Sequence, residues 1–155
     1  MAKIVIVGVG NPILRDDSVG LKVAERAAKE LAEKGIAVNL ELMTTTDFDI
    51  IGKITGYDGA VIVDGIVGEE PGKVRVMTLD DFKPSVSFSG SHSLTLPTSL
   101  KVGYELFGEE MPGKLAIVAV GVEDPYTFDT ECTERVKSAI PDAVKKVVSI
   151  VEGWL

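Results

Sequence analysis

Residues 4–20, IVIVGVGNPILRDDSVG, pass from an uninterrupted apolar run through two glycines to a pair of adjacent aspartates. The run Lys3–Val9 lacks the polar alternation of a half-exposed strand, so it reads as a strand covered on both faces, as in parallel sheets. Behind the aspartates, Val19–Lys34 places Val23, Ala24, Ala27, Ala28 and Leu31 on one helical stripe, and Gly35 supplies a stop. Strand, glycine turn and helix form the first half of a βαβ unit. A turn of this kind often cradles phosphate, yet Asp16 and Asp17 would repel one.

The turn also falls short of a nucleotide signature. Gly8 and Gly10 match two glycines of the dinucleotide fingerprint, but Ile13 stands where the third belongs, and no Lys-Ser/Thr pair follows. The glycines then read as a tight strand-to-loop turn, with Asn11 bonding local backbone.

Working outward, Val38–Met43, Ala60–Asp64, Lys73–Thr78 and Lys114–Val120 are further β-like runs. Helical patterns occupy Asp47–Ile54, capped by Thr46 or Asp47, and Leu94–Phe107, with Pro97 in the first turn, where its missing N–H is not needed. The last, Glu131–Trp154, is expected to be split by Pro141 into a short and a longer helix. Lys73–Thr78 follows its predecessor through a turn too short for a helical crossover, so it is expected to run antiparallel to its neighbour. The fold class is therefore α/β. We expect one domain over residues 1–155, three layers (α/β/α), and a central, mostly parallel five-stranded sheet with one antiparallel strand. The Ser- and Gly-rich loop Asp80–Ser93 is expected to be the least ordered connection.

Composition narrows the function. A net charge of -8 argues against nucleic acid as a partner, because phosphate affinity comes from Lys and Arg. No apolar stretch is long enough to span a bilayer, and the short N-terminal run lacks the cleavage site of a signal peptide, so a cytoplasmic location is expected. The protein is also expected to be a monomer. Glutamine is absent while Lys and Glu are plentiful, which points to a thermophilic source. Cys132 is the only cysteine and His92 the only histidine. An internal disulfide and a CxxC zinc site are thereby excluded, and any metal site must rely mainly on carboxylates.

Functional side chains of such folds gather at the carboxyl ends of the parallel strands. That rule selects the loop after Val9, the end of Ala60–Asp64 and the loop after Val120. Asp16 and Asp17 are each suited to capping the first helix, but capping does not require two acids, so one is free to face the crevice. Asp64 is either a turn residue before Gly65, reaching water at the strand end, or a carboxylate that meets a cation. His92, in Ser89-Gly90-Ser91-His92-Ser93, is either a surface or capping residue or a third ligand. Two aspartates and a histidine at one sheet edge suit a hard or borderline cation with open coordination positions. No GxSxG elbow supplies a nucleophile, and Cys132 lies in the C-terminal region.

Taken together, these residues resemble the nickel–iron hydrogenase maturation endopeptidases. Gly8-Val9-Gly10-Asn11, then Asp16-Asp17 and Gly20, is similar to that family's opening G-x-G-N … D-D/E-x-x-G signature. Val63-Asp64, His92 and the Gly121–Pro125 stretch fall where the family keeps its other marked positions. The resemblance implies a protease that removes the C-terminal extension of a hydrogenase large-subunit precursor once nickel is inserted. It further implies that Asp17, Asp64 and His92 coordinate that nickel, which the precursor carries, so the resting protein need hold no metal. Gly8, Gly10 and Asn11 would shape the loop that holds Asp17, and Asp16 would cap the helix. Many members carry an Asp-Gly-Gly-Thr-like segment after the second strand. Here the chain reads Leu42-Met43-Thr44-Thr45-Thr46, leaving Asp47 or Asp49 as the acids that can substitute. Two rival readings are a non-catalytic nickel-sensing chaperone module and a nucleotide-binding domain.

Overall fold

The opening apolar run forms β1 (Ile4–Val9), buried at every position. A computed structural model of the chain describes residues 2–44, 48–81, 87–88 and 95–155. In it β1 pairs in parallel with β2 (Asn39–Met43) on one side and β3 (Gly59–Val67) on the other. Past a short antiparallel edge strand β4 (Val74–Met77) and a two-residue β5 (Ser87–Phe88), the chain returns as β6 (Lys114–Gly121), parallel to β3. The order is β2-β1-β3-β6-β4, with β5 added antiparallel to the end of β3. The mostly parallel five-stranded sheet with one antiparallel strand is thus present, and β5 extends it.

Helices cover both faces, which is why the middle strands carry no polar alternation. α1 (Val19–Glu33) and α4 (Glu134–Trp154) pack with Ile4, Ile6, Val61 and Val63. On the other face α2 (Asp49–Ile54) and α3 (Thr95–Phe107) pack with Val5, Val7, Val9, Ala60 and Ile62. Gly35 ends the hydrogen-bonded run of α1 with φ +78, a conformation that side chains resist.

Two expectations need correction, whereas β4 runs antiparallel to its neighbour as expected; that neighbour is β6, because β3 is flanked by β1 and β6. The turn that carries the chain past β6 uses Gly68 at φ +95 and Gly72 at φ +84. Pro141 does not split the last helix, since α4 is continuous from Glu134 to Trp154. Pro141 and Lys137, whose carbonyl loses its partner, both lie on the exposed face, where water can bond that carbonyl. The eight buried residues of α4 lie on both sides of the proline and hold the two halves on one core. Finally, β3 does not end at Asp64 but runs on to Val67, supported by its β6 partner as far as Gly121.

Smaller differences follow from local detail. α2 begins at Asp49, and Thr46 and Asp47, the expected caps, lie outside the described residues. Of the Asp80–Ser93 loop, Asp80 and Asp81 belong to a 3-10 turn and Ser87–Phe88 form β5; the remainder also lies outside them.

Candidate active site

From β1 the chain crosses through α1 to β2 and returns through α2 to β3 on the opposite side of β1. The direction of winding therefore reverses between β1 and β3, and their carboxyl ends open the crevice where such sheets bind ligands. Three glycines draw the walls of that crevice together. A Cβ on Gly10 would run into the carbonyl oxygen of Asp17, and one on Gly8 would sit 2.7 Å from Ala24 Cβ. A Cβ on Gly20 would meet the carbonyl oxygens of Val9 and Val63, the latter at 2.5 Å, and Asp64 Cα at 3.1 Å. The first turn of α1 thus seats directly on the ends of β1 and β3, which no other residue type permits.

Asp16, Asp17 and Ser18 form a buried 3-10 turn leading into α1. Asp17 is 3% exposed, and its Oδ2 accepts the Asn11 backbone N–H at 3.0 Å. Asn11 Oδ1 in turn accepts the Ile13 N–H at 3.1 Å, so the asparagine shapes the loop on both sides. Asp64 is 2% exposed and does not reach water as a strand-end residue would. The β1–β3 ladder stops at Gly8↔Val63, so Asp64 lies just past its last pair, level with Val9 at the end of β1. Its Oδ1 accepts the Gly65 N–H at 2.8 Å, and no ion pair to it forms among the described residues. Burial pushes the Asp64 carboxyl well above the usual range, and the nearby charge of Asp17 pushes it further. Two buried acids in each other's field supply hard oxygen donors and lower each other's cost once a cation lies between them.

The expectation that Asp16 caps α1 is not met. Ser18 holds the cap position, and its hydroxyl donates to the Arg15 carbonyl at 2.8 Å. Asp16, with no exposure, faces the segment between β6 and α4 instead. Its Oδ2 accepts the N–H groups of Glu123 and Asp124 at 2.9 and 2.8 Å. Its Oδ1 accepts the Thr133 N–H at 2.7 Å, and the Thr133 hydroxyl reaches Oδ2 at 2.8 Å. Thr133 is the N-cap residue of α4, so one carboxylate ties the loop after β1 to the loop after β6 and the start of the last helix.

Sequence reasoning missed these partners, along with the Arg15–Asp129 ion pair at 2.8 Å. The available signals were Thr133 ahead of Glu134, an ordinary cap pattern, and the Asp124-Pro125 turn pair. Neither says which distant acid it serves. Cys132 lies 3.7 Å from both Ser18 Oγ and Lys22 Nζ, and burial raises its thiol, which makes it a poor nucleophile. His92 lies outside the described residues, and among those described no cluster of three metal-ligating side chains occurs.

The architecture is shared with solved hydrogenase-maturating endopeptidases. The chain superposes on HybD from Escherichia coli with a TM-score of 0.74 at 22% identity, covering 97% of this chain and 93% of that one. For the HybD hydrogenase maturation protease from Thermococcus kodakarensis the TM-score is 0.73 at 22% identity, covering 96% and 98%. In sequence it is 30% identical to Protein FrxA of Pyrococcus furiosus over 138 residues, 88% of this chain and 96% of that protein. It is 26% identical to the hydrogenase 2 maturation protease of Escherichia coli over 153 residues, 95% and 89% of the two chains. The HycI family model, described as hydrogenase maturation protease, matches residues 21–150. The chain belongs to the hydrogenase maturation protease family and is therefore a peptidase.

Proposed function

We propose that this protein removes the C-terminal extension of a nickel–iron hydrogenase large-subunit precursor, and does so only after nickel has been inserted. The observation that carries the reading is Asp64, a carboxylate shut inside an apolar strand, raised by its burial and by Asp17 beside it. Such a pair is costly in a resting fold and is relieved by a cation. On this reading Asp17, Asp64 and His92 bind the nickel that the precursor carries, so the metal arrives as part of the substrate. Three protein ligands leave positions open for the precursor's own thiolates and for polarising the scissile carbonyl or a water. Cleavage then reports that the metal is in place.

Nickel-loaded and nickel-free precursor, each incubated with the protein and weighed by mass spectrometry, test the proposal. We expect a mass loss matching the C-terminal extension in the loaded sample alone. Equal cleavage of both samples removes the nickel dependence, and no cleavage of either removes the function.

A further inference from the structure

Ile13–Asp16 and Asp124–Asp129 form a short braced ladder immediately before the Asp17 loop. The Arg15 N–H donates to the Thr127 carbonyl and the Asp129 N–H to the Ile13 carbonyl, both at 2.9 Å, and Leu14 pairs with Phe128 across an antiparallel bridge. The Asp124 carboxylate accepts the N–H groups of Tyr126 and Thr127 at 3.1 and 3.0 Å. Asp129 accepts the Glu131 N–H at 2.9 Å as well as the Arg15 guanidinium. Asp16 holds the base of the same segment.

A segment pinned this thoroughly would be expected to turn its large apolar side chains inward. Instead Phe128 is 79% exposed, Tyr126 70% and Ile13 52%. One such side chain needs no explanation, but Tyr126 and Phe128, two residues apart on a segment braced against Leu14, are preorganised anchors of the kind that dominate protein interfaces. Around them stand the carboxylates of Glu123, Asp124, Asp129 and Glu131, against Arg15 and Lys22. Hydrogen bonds from Thr127 and Tyr126 hold the Asp124 carboxyl below its usual range. The Glu131 N–H and Arg15 do the same for Asp129, so both stay charged. Arg15 is already paired with Asp129, and Lys22 Nζ bonds the Thr130 carbonyl.

We propose that this ladder docks the polypeptide substrate, taking an apolar segment flanked by lysine or arginine near the scissile bond. The inference rests on the proteolytic reading above. A second copy of this chain is the poorer occupant, because a two-fold contact would set the same carboxylates face to face on a chain of net charge -8. A basic, apolar segment relieves both the charge and the exposed area. Bound there, it places its neighbouring residues beside the Asp17 loop, since Ile13–Asp16 runs directly into Asp17.

The test compares the wild type with Tyr126→Ser/Phe128→Ser and with Glu123→Lys/Glu131→Lys, using nickel-loaded precursor. All four side chains are exposed, so we expect each variant to melt with the wild type. The aromatic variant should bind precursor about thirtyfold more weakly and raise KM while kcat at saturation is kept. The charge variant should associate more slowly, with a weaker salt dependence. Wild-type affinity in the aromatic variant overturns the proposal. So does a fall in kcat at unchanged KM, which assigns the ladder to holding the Asp17 loop. A wild-type dimer that the aromatic substitutions dissociate without altering precursor affinity assigns the surface to a second copy and overturns it too. A wild type that binds precursor but cleaves none removes the proteolytic reading while leaving docking supported, whereas one that does neither removes both.

Discussion

Asp16 and Asp64 are both buried at the carboxyl edge of the sheet, at 0% and 2% exposure, and their surroundings differ in kind. Asp16 receives three backbone N–H groups and a hydroxyl from the loop and helix behind β6. Asp64 receives one N–H, from its own neighbour Gly65, and lies in the field of a second carboxylate. A buried charge is tolerable when donors surround it and costly when an acid does. The contrast separates an acid that builds the fold from one that the fold carries at a cost. Asp17, next to Asp16 in sequence, supplies that second carboxylate and itself accepts the Asn11 N–H.

The sharpest way to break this contrast is through activity. Asp17→Asn and Asp64→Asn should each lower precursor cleavage by about a thousandfold or more while the protein stays folded, read by mass spectrometry and circular dichroism. Activity within tenfold of wild type in either variant would sink the division of roles (a tenfold change is about 1.4 kcal/mol). Asp16→Ala should do the reverse and strike stability first. It strands several buried donors and should cost about 3 kcal/mol in urea unfolding. A loss below about 1 kcal/mol would show that water replaces the carboxylate readily.

Gly20→Ala tests the seating of α1 on both strand ends. Its Cβ collides with fixed backbone carbonyls, so we expect a cost of about 2 kcal/mol together with reduced cleavage, as Asp17 shifts relative to Asp64. The smallest effect is one of pH. A carboxyl raised in the folded state binds more protons there than in the unfolded chain, so its contribution to stability falls as pH rises through the raised value. Asp64→Asn should therefore melt above the wild type at neutral pH, and the gap should close as pH falls into the ordinary carboxylate range. A variant that melts lower at neutral pH would mean that Asp64 is well solvated or paired.

Much of the framework was legible in residue order. Continuous apolar runs at Ile4–Val9 and Lys114–Val120 announce strands covered on both faces, and the Val23–Leu31 stripe announces the helix between β1 and β2. Both are local periodicities, which depend only on neighbours along the chain. Asp64 was legible as an acid out of place, but the length of its strand was not. The residues after it, Gly65-Ile66-Val67, extend the strand because β6 pairs with Gly65 and Ile66 and β5 with Ile66 and Val67. Pro141 was misread for a similar reason: its local rule breaks a helix, while the packed residues on either side of it keep α4 whole.

The sequence by itself determined the βαβ beginning, the mostly parallel sheet and the placing of Asp17 and Asp64 near its carboxyl edge, because each follows from short-range pattern and chain direction. Only the tertiary structure decided what surrounds each of the two adjacent aspartates. The arrangement depends on Glu123, Asp124 and Thr133, more than a hundred residues away in sequence, delivering their donors to Asp16. It depends equally on Gly20 letting α1 close against β3, so that Asp17 comes within the field of Asp64. Hydrogen-bond partners and burial belong to the folded neighbourhood, and no spacing along a single chain encodes them directly.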